Sequence, residues 1–322
     1  MRWYSIPPIA ALALAFGARL ALASCGCDFC PVDKEPPRHE AKLSFDLTQQ
    51  YIDQDQPRFG TDDVAVGQVP SHHDEVRTVN RATTASLTVR PADAWAFSAS
   101  LPYVSRYHEH IHDHLGNAEV LRWRYSGPGD LELLATRYLV AGAGGARYFL
   151  RAGVKAPTGD TTVEEVDGTQ PEPTSRPGTG SWDLLAGLGA EWRVGAPGAG
   201  DGKTMPLRVS LAGRLSGRGT EDYRGGSELL AHAGAEYPVA GPAAALLQTN
   251  LRVRAKDDVG TTDEEAGDTG GTSLYLSPGA RVTIAPRTSI YGLFQVPVLQ
   301  RVNGIQLVAK SNLYVGISRG LF

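Results

Sequence analysis

The chain has 322 residues, among them 37 Gly and 21 Pro, and its formal net charge at pH 7 is −4. A charge this close to neutral gives no support to nucleic-acid binding, which depends on a large excess of positive charge. Gly and Pro lie between short segments of alternating polarity, so the composition favours an all-β protein with many turns.

The first part of the chain, residues 1–23, predicts a secretory signal peptide. Arg2 precedes an apolar run over residues 6–18, which is too short to cross a bilayer as a helix. Residues 21–23 (Ala-Leu-Ala) have the small side chains typical of a signal-peptidase cleavage site. We therefore expect cleavage before Ser24 and export of the mature chain.

Residues 24–40 are a predicted periplasmic leader that holds all three cysteines, Cys25, Cys27 and Cys30. The segment Leu22–Cys25 resembles a lipobox, in which Cys25 carries the lipid and becomes the mature N-terminus. Cys27 and Cys30 would then remain as a pair that can form a disulfide in the oxidising periplasm. Without lipidation, the three thiolates could instead hold a soft metal such as copper(I).

From residue 41 to residue 322, apolar and polar side chains alternate in segments of about ten residues. In one such segment Tyr148 and Leu150 share one face, whereas Arg147 and Arg151 share the other. After the signal peptide no run approaches the roughly 20 apolar residues of a spanning helix, so membrane insertion must use strands. The predicted strands start near residues 41, 76, 94, 129, 147, 181, 207, 228, 245, 273, 289 and 305.

The alternation of polarity within strands would also occur in a soluble β-sandwich, so it does not by itself indicate a membrane protein. The breaks between the segments are more informative, because they alternate in length. The short breaks lie at 91–93, 141–145, 240–242 and 285–287. The long polar breaks lie at 52–74, 108–127, 157–179, 217–226 and 256–271. Residues 195–204 form a longer turn than the other short breaks. This rhythm predicts a single antiparallel transmembrane β-barrel of about twelve strands, with short periplasmic turns and long outer loops.

The chain ends on Phe322, and a terminal aromatic residue is typical of outer-membrane barrels. Counting back by twos from Phe322 gives Gly320 and Ser318, whereas the apolar Leu321 and Ile317 fall on the other face. A bulge near Gly320 would bring the aromatic ring into register with the apolar face.

Three motifs carry a resemblance to a known family. They are Leu101–Tyr103 (LPY), Lys155–Asp160 (KAPTGD) and Gly178–Asp183 (GTGSWD). With them the chain resembles the outer-membrane proteins associated with a meta-pathway of phenol degradation. The segments Cys25–Cys27 and Thr78–Asn80 resemble those of relatives in that group that carry a cysteine-rich leader. The resemblance implies a transporter-like barrel and no catalytic residues.

The face opposite the apolar one would line the lumen and carries many cations. They are Arg77, Arg81, Arg106, Arg147, Arg151, Lys155, Arg208, Arg214, Arg252, Arg254 and Arg281, with Asp183, Glu191 and Glu236 as partial partners. Charges inside a pore set its selectivity, so the sequence predicts an outer-membrane channel or transporter for small polar, anionic or aromatic solutes. In the alternative, the arginines pair with carboxylates and tyrosines to fill a small lumen.

The segment 108–114 places His108, His110, His112 and His114 two residues apart, on one face of an extended chain. Neutral imidazoles favour zinc or copper, so these histidines are a candidate metal site at the outer rim, close to His72 and His73. No cofactor is required by the rest of the sequence. The alternative for 108–114 is a solvated polar loop.

A catalytic arrangement is not expected. His232 with Glu236 is the nearest candidate couple, and no serine signature accompanies it. An enzyme, such as a barrel hydrolase, is therefore disfavoured, and a metal-binding outer-membrane protein without transport is the other alternative. The expected location is the bacterial outer membrane. The expected partners are its lipid and lipopolysaccharide, the barrel-assembly machinery and a small-molecule solute, with no nucleic acid.

Overall fold

The computed structural model describes residues 41–69, 74–114, 117–139, 145–164, 170–171, 173–200, 202–262 and 266–322. The predicted signal peptide and leader, with Cys25, Cys27 and Cys30, lie outside the described residues, and so do His72 and His73. The division of the chain at residues 23 and 40 therefore stays a prediction.

The described residues form fourteen β-strands and three one-turn 3-10 helices. The strands are β1 (Leu43–Phe59), β2 (Asp62–Asp63), β3 (Asp74–Ala92), β4 (Trp95–His114), β5 (Asn117–Pro128), β6 (Leu131–Leu139), β7 (Arg147–Ala156), β8 (Asp183–Gly195), β9 (Thr204–Leu215), β10 (Glu228–Ala240), β11 (Ala243–Arg254), β12 (Gly271–Ala285), β13 (Thr288–Val302) and β14 (Ile305–Gly320). Across the described ranges, no helix is long and apolar enough to span a membrane.

Twelve of these strands close into one antiparallel barrel, in the order β1, β3, β4, β6 and then β7 to β14, and β14 pairs back with β1. The short β2 pairs only with β1, and β5 pairs only with β4. The predicted all-β fold with a closed twelve-stranded barrel is confirmed. The largest difference between a predicted and an observed strand start is three residues, for β9, which was expected near 207 and starts at Thr204.

The alternation of each strand separates a lipid-facing surface from the lumen. In β7 the side chains of Tyr148 and Leu150 are 37% and 50% exposed, whereas Phe149 between them is 1% exposed. The same pattern surrounds the barrel and forms an apolar belt, as a transmembrane barrel requires. The belt includes Phe45, Leu47, Leu87, Phe97, Leu101, Leu133, Leu150, Leu184, Leu188, Val209, Leu211, Leu247, Ile290, Phe294, Leu313, Val315 and Ile317.

The two ends of the barrel differ in their connections. At the periplasmic end, two-residue turns join β3 to β4, β10 to β11 and β12 to β13, and the backbone N–H of Lys42 donates to the carbonyl oxygen of Phe322. At the outer end, long connections join β7 to β8, β9 to β10 and β11 to β12. The exception is the outer turn at Asn303 and Gly304 between β13 and β14, where Gly304 has a φ of 43°.

Two predicted outer loops are shorter in the structure, because their flanking strands continue beyond the apolar belt. β1 reaches Phe59 and β3 begins at Asp74, so the loop expected over 52–74 is cut to 60–73. In the segment 108–127, expected as a loop, residues 108–114 instead belong to β4 and residues 117–127 belong to β5, which pairs with β4. Above the lipid both faces of a strand meet water, so the apolar alternation that reveals strands in the belt is lost there.

The C-terminal strand does not contain the expected bulge near Gly320. Its pairing with β1 keeps one register from Asn312 opposite Ile52 to Gly320 opposite Ser44. The strand ends at Gly320, and the backbones of Leu321 and Phe322 still hydrogen-bond to Leu43 at the start of β1. The irregular pairing lies farther up β1, between Ile52 and Gln56.

The belt predicts how a charge on the lipid side is tolerated. Leu150 lies directly opposite Leu188 on the lipid-facing surface of β7 and β8. We expect Leu150→Arg to lower the free energy of unfolding by about 2–4 kcal/mol, because the guanidinium enters hydrocarbon. The measurement is urea unfolding of the refolded protein in lipid vesicles.

The control is Phe59→Arg, at the outer end of β1 beyond the belt, where an introduced arginine should cost no more than about 0–1 kcal/mol. Equal losses in the two variants would contradict the position of the belt.

Candidate functional site

Most cations predicted for the lumen do face the interior, at positions that alternate with the apolar belt. Arg77 and Arg81 do not, and their prediction was wrong. Both are exposed on the outer face of β3, above the belt. There Arg77 forms an ion pair of 2.6 Å with Asp53, and the guanidinium carbon of Arg81 lies 5.6 Å from the ring centre of Tyr51. Both faces of β3 are polar at this height above the belt. The polarity of a residue therefore does not indicate whether its side chain faces the lumen or the outside.

In the outer half of the lumen the arginines are paired with carboxylates. Arg214 lies 2.7 Å from Glu132, and Arg252 lies 2.6 Å from Glu228. Arg254 also approaches Glu228, at 3.6 Å. The alternation in the sequence predicts these arginines in the lumen, whereas Glu132 and Glu228 were not predicted as their partners. This part of the lumen therefore matches the alternative in which arginines and carboxylates fill the space.

A second group of cations surrounds two aromatic rings nearer the periplasmic end. The guanidinium carbons of Arg151 and Arg208 each lie 4.7 Å from the ring centre of Phe149. The guanidinium carbon of Arg147 lies 3.7 Å from the ring centre of Tyr138, and the two rings are 6.2 Å apart in an edge-to-face arrangement. Such contacts of cations with aromatic faces stabilise both partners.

Two further residues complete this group. Arg90, which the sequence analysis missed, places its guanidinium carbon 5.6 Å from the ring centre of Tyr138. Glu191 lies directly opposite Arg147 on one side and Arg208 on the other in the strand register. We name this group the Phe149 cluster, and it comprises Arg90, Tyr138, Arg147, Phe149, Arg151, Glu191 and Arg208.

Glycines in β8 make room for the Phe149 cluster. Gly187 pairs with Arg151 and Gly189 pairs with Phe149 in the register of β7 and β8. A Cβ atom on Gly189 would collide with the ring of Phe149. Glycine inside a strand commonly marks such a close approach, so Gly189 is the sequence signal that could have located the cluster.

The opposite wall of the lumen carries mainly amides and tyrosines. The side-chain amide nitrogen of Asn312 donates to Gln295 at 2.8 Å, and both residues are buried. Tyr291 and Tyr314 pack with Leu293 in an apolar cluster on the same side. The interior therefore has a wall rich in arginines on one side and a wall rich in amides and tyrosines on the other.

Lys155 and Asp183, both predicted as lumen residues, lie in a buried network instead of on an open pore wall. Lys155 is 2.9 Å from Asp130 and 3.2 Å from Asp183, and all three side chains are at most 5% exposed. Its ammonium group also donates to Thr179, and to Ser181 at 3.1 Å. Lys155 is thus enclosed by oxygen acceptors.

This network closes the base of the loop between β7 and β8. Asp130 accepts the backbone N–H groups of Gly159 and Thr179, from the two ends of the loop. Burial raises the pKa of the Asp130 carboxyl, but the charge of Lys155 and the hydrogen bonds from Lys155 and Thr179 outweigh it and hold that pKa below its ordinary value. A Cβ atom on Gly178 would collide with the backbone of Gly159. The KAPTGD and GTGSWD motifs are therefore the two halves of one structural clamp.

Beyond the clamp, the loop folds into the outer mouth of the barrel. Pro171, Thr174 and Arg176 are buried. The guanidinium of Arg106, on the inner face of β4, donates to the carbonyl oxygen of Thr174 at 2.9 Å. Arg176 forms an ion pair of 2.6 Å with Glu221 in the loop between β9 and β10. The loop therefore narrows the mouth and is held from two sides.

His108 and His110 lie on the inward face of β4, above the belt, and both are buried. His108 hydrogen-bonds through Nδ1 to the hydroxyl of Thr78 at 2.7 Å, and both imidazoles contact the ring of Trp123. Burial, together with the charges of His110 and Arg106, lowers the pKa of His108 to about 3, so its ring is neutral.

The strand continues through His112 and His114, whose side chains fall outside the described residues. Within the described ranges no group of three or more metal-ligating side chains is found. Zinc or copper binding at His108, His110, His112 and His114 therefore stays a prediction.

The two members of the candidate catalytic couple have separate partners. His232 hydrogen-bonds through Nδ1 to the amide oxygen of Asn250 at 2.7 Å, and Asn250 donates to Ser277 at 2.8 Å. Glu236 forms an ion pair with Arg281. His232 is thus one end of a buried chain of hydrogen bonds. Glu236 is paired with Arg281 and does not serve as the acid partner of His232.

The barrel was compared with known proteins. It is similar to an outer membrane channel from Pseudomonas putida F1, with a TM-score of 0.61 and 12% identity over 91% of this chain and 99% of that chain. The transport unit of the autotransporter AIDA-I from Escherichia coli gives a TM-score of 0.47 and 12% identity over 88% of this chain and 91% of that chain. The beta domain of the Bordetella autotransporter BrkA gives a TM-score of 0.43 and 12% identity over 88% of this chain and 100% of that chain.

The chain has the fold of an outer-membrane β-barrel. At these identities the likeness shows the fold alone, and it rests on the first of the three structures. With the closed barrel and its apolar belt, it confirms the predicted location in the bacterial outer membrane. Neither the protein-family models nor the curated proteins gave a match. The narrower resemblance to the phenol-degradation group stays a prediction.

The clamp predicts a large effect of removing its cation. We expect Lys155→Met to lower the free energy of unfolding by about 3–5 kcal/mol, because the Asp130 and Asp183 carboxylates remain buried without their cation. The measurements are urea unfolding in lipid vesicles and protease cleavage within residues 157–182, which should become faster.

The control is Lys310→Met, the same substitution in an exposed ion pair with Asp55 at 3.3 Å. It should cost no more than about 1 kcal/mol. Equal stability losses, or an unchanged rate of loop cleavage in Lys155→Met, would show that the network does not hold the loop.

Proposed function

We propose that the chain is a passive outer-membrane channel for small anionic and polar aromatic solutes, and not an enzyme. The observation that carries this proposal is the Phe149 cluster, which brings Arg90, Arg147, Arg151 and Arg208 together on the inward face of a closed barrel. An excess of fixed positive charge inside a narrow pore lowers the energy of a passing anion and raises that of a cation.

The cation-rich wall of the lumen suits a solute with an anionic end, because it attracts a carboxylate or phenolate group. The structural neighbour from Pseudomonas putida is itself an outer membrane channel, which supports the same class of function. His232, the candidate catalytic residue, hydrogen-bonds to Asn250, an arrangement that supports a structural role.

A second candidate is a barrel that does not conduct. It is favoured by the loop between β7 and β8, which places the buried Pro171, Thr174 and Arg176 in the outer mouth. Under this hypothesis the clamp at Lys155 would keep the mouth closed, and the barrel would serve only as a scaffold in the membrane.

Planar-bilayer recording of the refolded mature protein separates the two candidates. We expect single-channel currents in a KCl gradient, with a reversal potential that corresponds to preference for chloride over potassium. Adding benzoate or phenolate should reduce the chloride current, because these anions enter the same pore. Absence of conductance would favour the closed scaffold, and preference for potassium would refute the anion channel.

A further inference from the structure

We propose that four arginines on the outside of the barrel, directly above the belt, bind phosphate groups of lipopolysaccharide, the glycolipid of the outer leaflet. Arg77 and Arg81 lie on β3, Arg122 and Arg124 lie on β5, and all four are exposed. We name this group the outer arginine patch. The proposal concerns the membrane-facing side of the protein, so it does not depend on whether the pore conducts.

The strand register brings the outer arginine patch together across β3, β4 and β5. Arg77 and Arg122 lie on either side of the same residue of β4, Glu109. Arg81 and Arg124 follow on the same face, because residues an even number of positions apart share one face of a strand. At the usual spacing of strands and residues, the Cα atoms of Arg81 and Arg124 are about 12 Å apart. Their long side chains can therefore reach one headgroup.

The outer arginine patch contains one arrangement twice, and the first copy joins β1 to β3. The hydroxyl of Tyr51 donates to the carboxylate of Asp53 at 3.1 Å. The guanidinium of Arg77 donates to both oxygens of Asp53, at 2.8 and 2.6 Å. The guanidinium of Arg81 lies over the ring of Tyr51. Asp53 is thus held by one arginine and a tyrosine, and the second arginine contacts only a ring.

The second copy joins β4 to β5 with the same partners. The hydroxyl of Tyr107 donates to Glu109 at 2.6 Å, and Arg122 lies 3.1 Å from the same carboxylate. The guanidinium carbon of Arg124 lies 5.1 Å from the ring centre of Tyr107. Each copy therefore carries two arginines and one carboxylate.

The two copies leave an excess of positive charge on the outer surface. Within the part of the chain that the structure describes, no carboxylate lies at ion-pair distance from Arg81 or Arg124. A ring face orients a guanidinium without neutralising it. The exposed N–H groups of these two arginines can therefore donate to phosphate oxygens, which match the planar guanidinium in geometry and charge.

The height of the patch matches the boundary between hydrocarbon and headgroups. On β4, Leu101 belongs to the belt, and the exposed ring of Tyr103 follows it, as expected of an aromatic residue at the interface. Arg81 is opposite Ser105, two residues beyond Tyr103 and about 7 Å farther along the strand. The anionic groups fixed at this height outside a barrel are those of lipid headgroups, so the patch suits lipopolysaccharide phosphate.

The decisive experiment removes the two arginines that contact only rings. The refolded mature protein in detergent micelles is titrated with lipopolysaccharide, and bound glycolipid is counted by native mass spectrometry. In Arg81→Gln with Arg124→Gln, we expect the apparent affinity to fall about tenfold or more, because two charge-assisted contacts are lost. Correct folding is checked by heat-modifiable migration in gels.

The control is Arg218→Gln with Arg224→Gln, which removes two exposed arginines from the loop between β9 and β10 and changes the net charge equally. Its affinity should change by less than about twofold. Unchanged binding in the patch variant would overturn the proposal. An equal loss in the control would also overturn it, because binding would then follow net charge and not the patch.

The source of the phosphate is tested with the unmodified protein. Lipopolysaccharide stripped of its phosphate groups should bind about tenfold or more weakly than the intact glycolipid. Inorganic phosphate at the same phosphate concentration should not displace intact lipopolysaccharide. Equal binding of the stripped glycolipid would refute recognition of phosphate, and displacement by inorganic phosphate would refute the assignment to a lipid headgroup.

A chemical footprint covers the case in which the patch variant does not fold. Phenylglyoxal modifies exposed arginines, and peptide mapping of the unmodified protein reports the modified positions. We expect lipopolysaccharide to protect Arg81 and Arg124 and to leave Arg218 reactive. Equal reactivity of Arg81 and Arg124 with and without lipopolysaccharide would overturn the proposal.

Discussion

Closure of the sheet is the constraint on which the rest of this structure depends. Hydrocarbon offers no hydrogen-bond partner, so each backbone N–H and C=O group at membrane depth must be satisfied by a neighbouring strand. The pairing of β14 with β1, from Ser44 opposite Gly320 to Phe59 opposite Ile305, removes the two edges that an open sheet would leave. Once the ring is closed, every side chain in the belt faces either lipid or the lumen, and the two-residue period of each strand decides which.

This period explains how much of the fold the sequence predicts. Within the belt, apolar side chains must alternate with others, so the strand starts and the inward positions of Arg151 and Arg208 follow from the pattern. Above the belt, both faces of a strand meet water, so the alternation of polarity does not show which residues face the lumen. Arg77 and Arg81 were misplaced for that reason, and the hairpin of β4 and β5 was taken for a loop.

The site is less predictable, because contacts inside the barrel join residues that are distant in sequence. Arg214 and Glu132 lie 82 residues apart, and their meeting depends on the register and tilt of the strands between them. Lys155 was misinterpreted for a related reason. Its position in β7 faces inward, as expected, but the chain that follows folds back over it and converts a pore residue into the centre of a clamp.

The groups that stabilise the buried cations differ along the lumen. Removing a charge from water is costly unless a partner and hydrogen bonds replace the lost solvation. Lys155 and Arg254 are buried, and each has carboxylates within hydrogen-bonding distance. Arg147, Arg151 and Arg208 are partly buried, and the faces of Tyr138 and Phe149 replace part of the solvation that their guanidinium groups lose. The lumen therefore stabilises its cations in two ways, with carboxylates in the outer half and with aromatic faces near the periplasmic end.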